Sequence, residues 1–166
     1  MYKRQAEADL VITSGGVSAG AFDIVRAVSS TDAGMWFGKV AQRPGSPQGA
    51  GTFAGTPLVC LPGNPVAAFV SFLLYGAPLI AAQAGISRGL RFSERPHILA
   101  ERAADFVNTA KPGVTYAVPV RLHHADGRTL AESFAPATGS SFVASLTGID
   151  GLAIVDAPQG PVKVYF

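Results

Sequence analysis

The chain has 166 residues, enough for one domain of ordinary size or two small ones around a buried core. Apolar residues make up 48% of it and charged ones only 14%, well below the roughly 25% usual in soluble domains, which excludes disorder and suggests surface that a partner covers. A net charge of +2 without any basic run argues against a nucleic-acid partner, and the one cysteine, Cys60, excludes an internal disulfide and fits a reducing cytoplasm.

Residues 1–9 carry Glu7 and Asp9 where a signal peptide needs an apolar core, so no secretory leader is expected. Leu10 to Thr13 reads as a short strand buried on both faces. It runs into Ser14-Gly15-Gly16, after which Phe22, Val25 and Val28 predict a helix from near Ala19 to Ser30. Residues 35–42 alternate as a strand and lead into a turn at 43–51. Residues 52–61 read as two short strands around a tight Ala54-Gly55-Thr56-Pro57 turn. Asn64 followed by Pro65 signals a helix start, because asparagine caps and proline suits the first helical position. That helix is expected to reach Ala84, kinked at Pro78 and stopped by Gly85.

No charged residue stands between Arg43 and Arg88, and residues 66–82 approach the ~20 apolar residues of a membrane span. Asn64, Ser71, Gly76, Pro78 and Gln83 speak against a span. A helix buried on all sides within a protein accounts for the same pattern. Strand, helix, strand, strand, helix is an α/β order with at least one crossover. Charge returns at 87–95, and the pattern beyond it is β: 97–106, 114–124, 128–136, 151–157 and 162–166. Asp126-Gly127 reads as a hairpin turn, and 138–150 as one short helix. A boundary near residue 90 therefore divides an α/β part, 1–90, from a small β-rich part, 91–166.

The chemistry concentrates in two glycine turns. Ser14-Gly15-Gly16 and Pro62-Gly63-Asn64-Pro65 each follow an apolar strand and precede a helix, where main-chain N–H groups favour phosphate or another anion. Ser18 could cap the first helix or bind the same anion. If the two strands are parallel neighbours, both turns share the carboxyl edge of the sheet, the usual ligand edge of α/β folds. Taken singly, each turn is adequately explained as punctuation; the pair favours a ligand with more than one acidic group. Asp23 fits either a charge stabilising the helix N-terminus or a carboxylate holding Mg²⁺ or water. Arg43-Pro44-Gly45-Ser46-Pro47 is a rigid loop displaying one cation, suited to clamping a phosphate and equally consistent with a solvated arginine. Cys60 reads as core. His97, His123 and His124 lack cysteine partners at zinc spacing, and no chemistry is assigned to them.

The stretches "TSGGVSAGAFD", "RPGSP" and "LPGNPVAAFVSF", in this order and spacing, resemble the molybdopterin molybdenumtransferase family of molybdenum-cofactor biosynthesis, which includes the E domain of gephyrin. The resemblance covers about residues 8–85, and the β-rich tail resembles that family's C-terminal domain. It implies a partial molybdopterin-binding α/β domain followed by a small β-barrel-like domain. It further implies binding of adenylylated molybdopterin and molybdate with Mg²⁺, and release of AMP as molybdenum enters the dithiolene. By motif position, Thr13, Ser14, Gly15, Gly16, Ser18, Pro62, Gly63, Asn64 and Pro65 would contact the pterin nucleotide. Arg43, Pro44, Gly45 and Ser46 would form its clamp, and Asp23 would be the catalytic or metal-orienting carboxylate. Many members carry lysines where Arg43 and Ser46 stand. The family chain is also about twice as long, which implies a C-terminal fragment, a homodimer in the full-length form, and completion by an N-terminal half in trans. The alternative is a non-catalytic molybdopterin-binding or scaffolding module. No membrane and no nucleic-acid partner is expected, and the expected location is cytoplasmic.

Overall fold

The computed structural model describes residues 7–17, 24–31, 33–88, 91–106, 111–133 and 146–166. In chain order these hold β1 (Val11–Ser14), α1 (Ile24–Ser29), β2 (Met35–Lys39), β3 (Gln42–Arg43), β4 (Pro47–Phe53) and β5 (Thr56–Leu61). A long helix follows as α2 (Pro65–Ser71), a π-helical turn (Phe72–Gly76) and α3 (Ala77–Gln83). After a 3-10 turn (Phe92–Glu94) come β6 (His97–Arg102), β7 (Thr115–Ala125), β8 (Arg128–Ser133), β9 (Gly151–Val155) and β10 (Val162–Tyr165).

The first sheet has the order β1-β5-β4-β2. β1 and β5 are parallel neighbours, with Val11 opposite Leu58 and Ser14 opposite Leu61. β5, β4 and β2 form an antiparallel meander. β1 stands at the sheet's margin, so Val11, Ile12 and Thr13 are half-buried instead of covered on both faces as their apolar run suggested. Pro47 to Gly51, expected as turn, is strand. Its glycines are there for packing: a Cβ on Gly49 would stand 2.4 Å from the Phe37 ring, and one on Gly51 would stand 2.0 Å from the Gly34 carbonyl. Val25 and Val28 of α1 pack with Val11, Phe37, Phe53, Leu58 and Cys60. The remainder of the predicted first helix, Ala19 to Asp23, lies outside the described residues.

The second sheet has the order β3-β7-β8-β6-β10-β9, and β9 returns to pair with β7, closing β7, β8, β6, β10 and β9 into a five-stranded barrel with β3 attached at its margin. Its interior is Ala100, Val120, Ala131, Ala153, Val155, Val162 and Val164. Asp126 and Gly127, with φ of 50° and 71°, make the hairpin between β7 and β8 with Ala125 opposite Arg128. His123 and His124, on this hairpin, each meet a side chain across it. His123 Nε2 lies 2.6 Å from Glu132 Oε2, and His124 Nδ1 lies 3.1 Å from Thr129 Oγ1. Most of the short helix expected at 138–150 lies outside the described residues.

The long helix joins the two sheets. Val66 and Val70 pack against Ala117 and Leu152 of the barrel, while Ile12 of β1 reaches Gly76. It is long and apolar enough to cross a membrane, yet only 28% of it is buried, so it is not enclosed on all sides as expected. Its covered residues lie mainly in α2, namely Val66, Ala67, Val70 and Ser71; α3 has none. Pro78 has no N–H, and the chain adapts before reaching it. The Ala77 N–H reaches back five residues to the Phe72 carbonyl, widening the turn. The carbonyls this leaves without their usual helical donors are met from outside: Arg95 donates to Leu73 O at 2.6 Å and to Leu74 O at 3.3 Å. Gly85, at φ 79°, ends the helix.

Candidate functional site

Because β1 and β5 run parallel, both glycine turns emerge from the same end of the first sheet. Gly15 and Gly16 take φ of 88° and 72°, a left-handed conformation that costs other residues energy. The Gly15 N–H donates to Leu61 O at 2.9 Å, and Ser14 Oγ donates to Pro62 O at 3.3 Å, so the first turn is tied to the second. The Gly16 carbonyl accepts from the Arg26 N–H at 3.0 Å, anchoring α1. On the other side, Asn64 caps α2: its Oδ1 accepts from the Ala67 N–H at 3.3 Å and its carbonyl from the Ala68 N–H at 2.8 Å. Pro65 takes the first helical position.

The third motif reaches this edge by topology. β4 runs antiparallel to β5, so the loop before Pro47 lies beside the carboxyl end of β5. Ser46 Oγ donates to Val40 O at 3.0 Å, and the Val40 N–H donates to Ser46 O at 2.8 Å, which closes the loop's base. Gly45 lies against α2, where a Cβ would stand 2.8 Å from Ser71 Oγ. Arg43 is exposed. The structure thus places Ser14, Gly15, Gly16, Pro62, Gly63, Asn64 and Pro65 along one edge, with the loop of Pro44, Gly45 and Ser46 lying against α2 and Arg43 just before it in β3, paired with the barrel.

Two expected contacts differ in kind. Thr13 turns its hydroxyl into the sheet, where among the described residues it is buried without a nitrogen or oxygen partner and faces Cys60, opposite it in register. Burial pushes the Cys60 thiol above its ordinary value of 9.0, and the neighbouring Thr13 hydroxyl offsets part of that rise. The hydroxyl of Ser46 is committed to Val40. Ser18 and Asp23 lie outside the described residues.

Sequence reasoning missed the side chains that hold the loop after Arg43. Gln48 Nε2 donates to Gly45 O and to Ser71 Oγ, each at 2.6 Å. Gln42 Nε2 donates to Pro44 O at 2.8 Å, and Tyr75 donates its hydroxyl proton to Gln42 Oε1. Two glutamines flanking a proline-glycine loop were the available signal. Between residues 7 and 88 the described carboxylates are Glu7 and Asp9, both before β1 and so at the opposite end of the sheet. Among the described residues no three His, Cys, Asp or Glu side chains converge. They do not by themselves fit a Mg²⁺ site. Among the described residues this edge offers two touching glycine turns and an exposed arginine nearby, Arg43, while the N–H groups of Gly15, Ala67 and Ala68 are already bonded within the protein.

Comparison with known proteins follows these features. A family model described as "Probable molybdopterin binding domain" matches residues 1–82. Molybdopterin molybdenumtransferase 2 of Mycobacterium tuberculosis is 39% identical over 164 residues, covering 95% of this chain and 38% of that protein. Molybdopterin molybdenumtransferase of Bacillus subtilis is 34% identical over 154 residues, covering 92% of this chain and 34% of that protein. This chain therefore spans little more than a third of the length of these relatives. In fold it resembles a molybdopterin biosynthesis protein of Pyrococcus horikoshii, with a TM-score of 0.70, 22% identity and coverage of 96% of this chain and 37% of that one.

Proposed function

This chain belongs to the molybdopterin molybdenumtransferase family, and on that premise we propose that its glycine edge binds the phosphate-bearing part of adenylylated molybdopterin. The single observation that supports this most is the juxtaposition of the Gly15 and Gly63 turns at the carboxyl ends of parallel β1 and β5, with the Arg43 loop beside them. Neutral main-chain N–H groups suit an anion there, and Arg43 supplies formal charge without a rigid ion pair.

The proposed reaction consumes adenylylated molybdopterin and molybdate. Water cleaves the phosphoanhydride and AMP leaves, while the two dithiolene sulfurs replace two oxo ligands of molybdate, which depart as water with the two thiol protons and two from solvent. The residues of this chain bind and orient the nucleotide, while the catalytic role assigned to Asp23 and the Mg²⁺ it would hold stay part of the proposal. So do a homodimer, an N-terminal half acting in trans, and a cytoplasmic setting.

Calorimetric titration with adenylylated molybdopterin, followed by an AMP-release assay with molybdate and Mg²⁺, tests the reading. Binding that Arg43→Ala weakens supports it. Absence of binding, with the relatives' N-terminal segments supplied in trans as well, would overturn it. Binding without AMP release under both conditions would favour the non-catalytic module.

A further inference from the structure

We infer that Gln42 and Gln48 are positioning residues: two buried amides pin the Arg43 loop to α2 and thereby set its distance from the Gly63-Asn64 turn, which opens the same helix. The inference rests on the reading of this edge as the nucleotide-phosphate site.

Gln42 and Gln48 are each 5% exposed, an uncommon degree of burial for glutamine. They stand on either side of the loop, and each holds one of its carbonyls, Pro44 O for Gln42 and Gly45 O for Gln48. Each then reaches α2 or its continuation, Gln48 through Ser71 and Gln42 through Tyr75. Ser71 and Tyr75 are four residues apart on one continuous helix, so both anchors lie on one face. Gly45 leaves no room for the loop to ride up, because its φ is 93° and a Cβ would meet Ser71 Oγ at 2.8 Å and Ala67 O at 3.4 Å.

A buried amide whose bonds are unmet is costly, so this arrangement favours a single seating of the loop. The base of the loop is fixed as well. β3 pairs with β7, and the Thr115 N–H donates to Ala41 O at 2.9 Å. Sheet, helix and barrel therefore meet at residues 40–47. Arg43 is placed by the main chain of its loop, and its side chain remains exposed for a ligand.

The test is a double-mutant cycle of Gln48→Met and Arg43→Ala, read as the Kd for adenylylated molybdopterin well below the melting transition. Methionine keeps the volume and removes the donors. Gln48→Met should weaken binding about tenfold, and add little once Arg43→Ala is present, since both act through one cation. Hydrogen exchange at Gly45 and Ser46 should quicken in Gln48→Met without ligand. Ser71→Ala replaces Gln48→Met should that variant fail to fold. Unchanged affinity, or an effect fully additive with Arg43→Ala, overturns the positioning role while leaving the site reading in place. Unchanged affinity in Arg43→Ala alone overturns the site reading, and the inference falls with it.

Discussion

A methyl group placed on Gly63 would stand 3.2 Å from the α-carbon of Gly15, so the two glycine turns touch through their main chains. Little can pass between them, and a shift of one moves the other.

Substitutions at these two glycines should therefore separate stability from binding. Gly15→Ala must hold a φ of 88°, which costs roughly 1–2 kcal/mol for an L-residue, and should lower the melting temperature. Gly63→Ala should cost less stability but prise the turns apart, weakening nucleotide binding by about tenfold or more. Calorimetry and thermal denaturation on both variants check this. Identical losses of stability and affinity in the two would show that the contact has no special part in binding.

Asn64→Ala removes the cap on Ala67 and should cost about 0.5–2 kcal/mol. Affinity should fall together with stability, because the same turn forms the edge. Weaker binding at unchanged stability would mean that Asn64 serves the ligand and not the helix.

Arg95→Met removes the donors to Leu73 O and Leu74 O and should destabilise the chain by about 1–2 kcal/mol in denaturant unfolding. Pro78→Ala in that background should recover part of the loss, since position 78 then carries an N–H for the helix. Equal effects of Pro78→Ala in both backgrounds would disconnect Arg95 from the helix break.

The buried Cys60 thiol should resist aromatic disulfide reagents at pH 8 until the chain unfolds. Its folded pKa is raised above 9.0, chiefly by burial, so the folded state keeps a proton that the unfolded state loses. Stability is thus fully present below about pH 9 and declines above it. Burial likewise raises Tyr75 above 10.0, which acts in the same direction. Rapid labelling of the folded chain, or rising stability between pH 9 and 11, would contradict this.

Asp23→Asn should reduce AMP release by at least ~10²-fold in a preparation competent for turnover, with little change in melting temperature. Near-normal release would reduce Asp23 to a helix-terminus charge.

Much of the fold was legible in the sequence because turns and caps are local. Gly15-Gly16, Asn64-Pro65, Asp126-Gly127 and Gly85 each announce a backbone geometry that neighbours cannot easily override. The strand from Pro47 to Gly51 was not legible. Its proline and glycines read as turn, and only the Phe37 ring and the Gly34 carbonyl, distant in sequence, show why glycine is needed there. The helix was found, but its exposure depends on which surfaces pack against it, and periodicity carries no such information. The Gln42 and Gln48 latch escaped for the same reason, since its partners Ser71 and Tyr75 lie over twenty residues away.

The most direct test of the central claim is a titration of the ¹⁵N-labelled chain with adenylylated molybdopterin, followed through its glycine amides. Signals of Gly15, Gly16, Gly45 and Gly63 should shift together and saturate at one ligand concentration, while those of Gly113, Gly127 and Gly160 in the barrel region stay fixed. Shifts confined to the barrel glycines, or none at the Gly15–Gly63 edge at saturating ligand, would contradict the account.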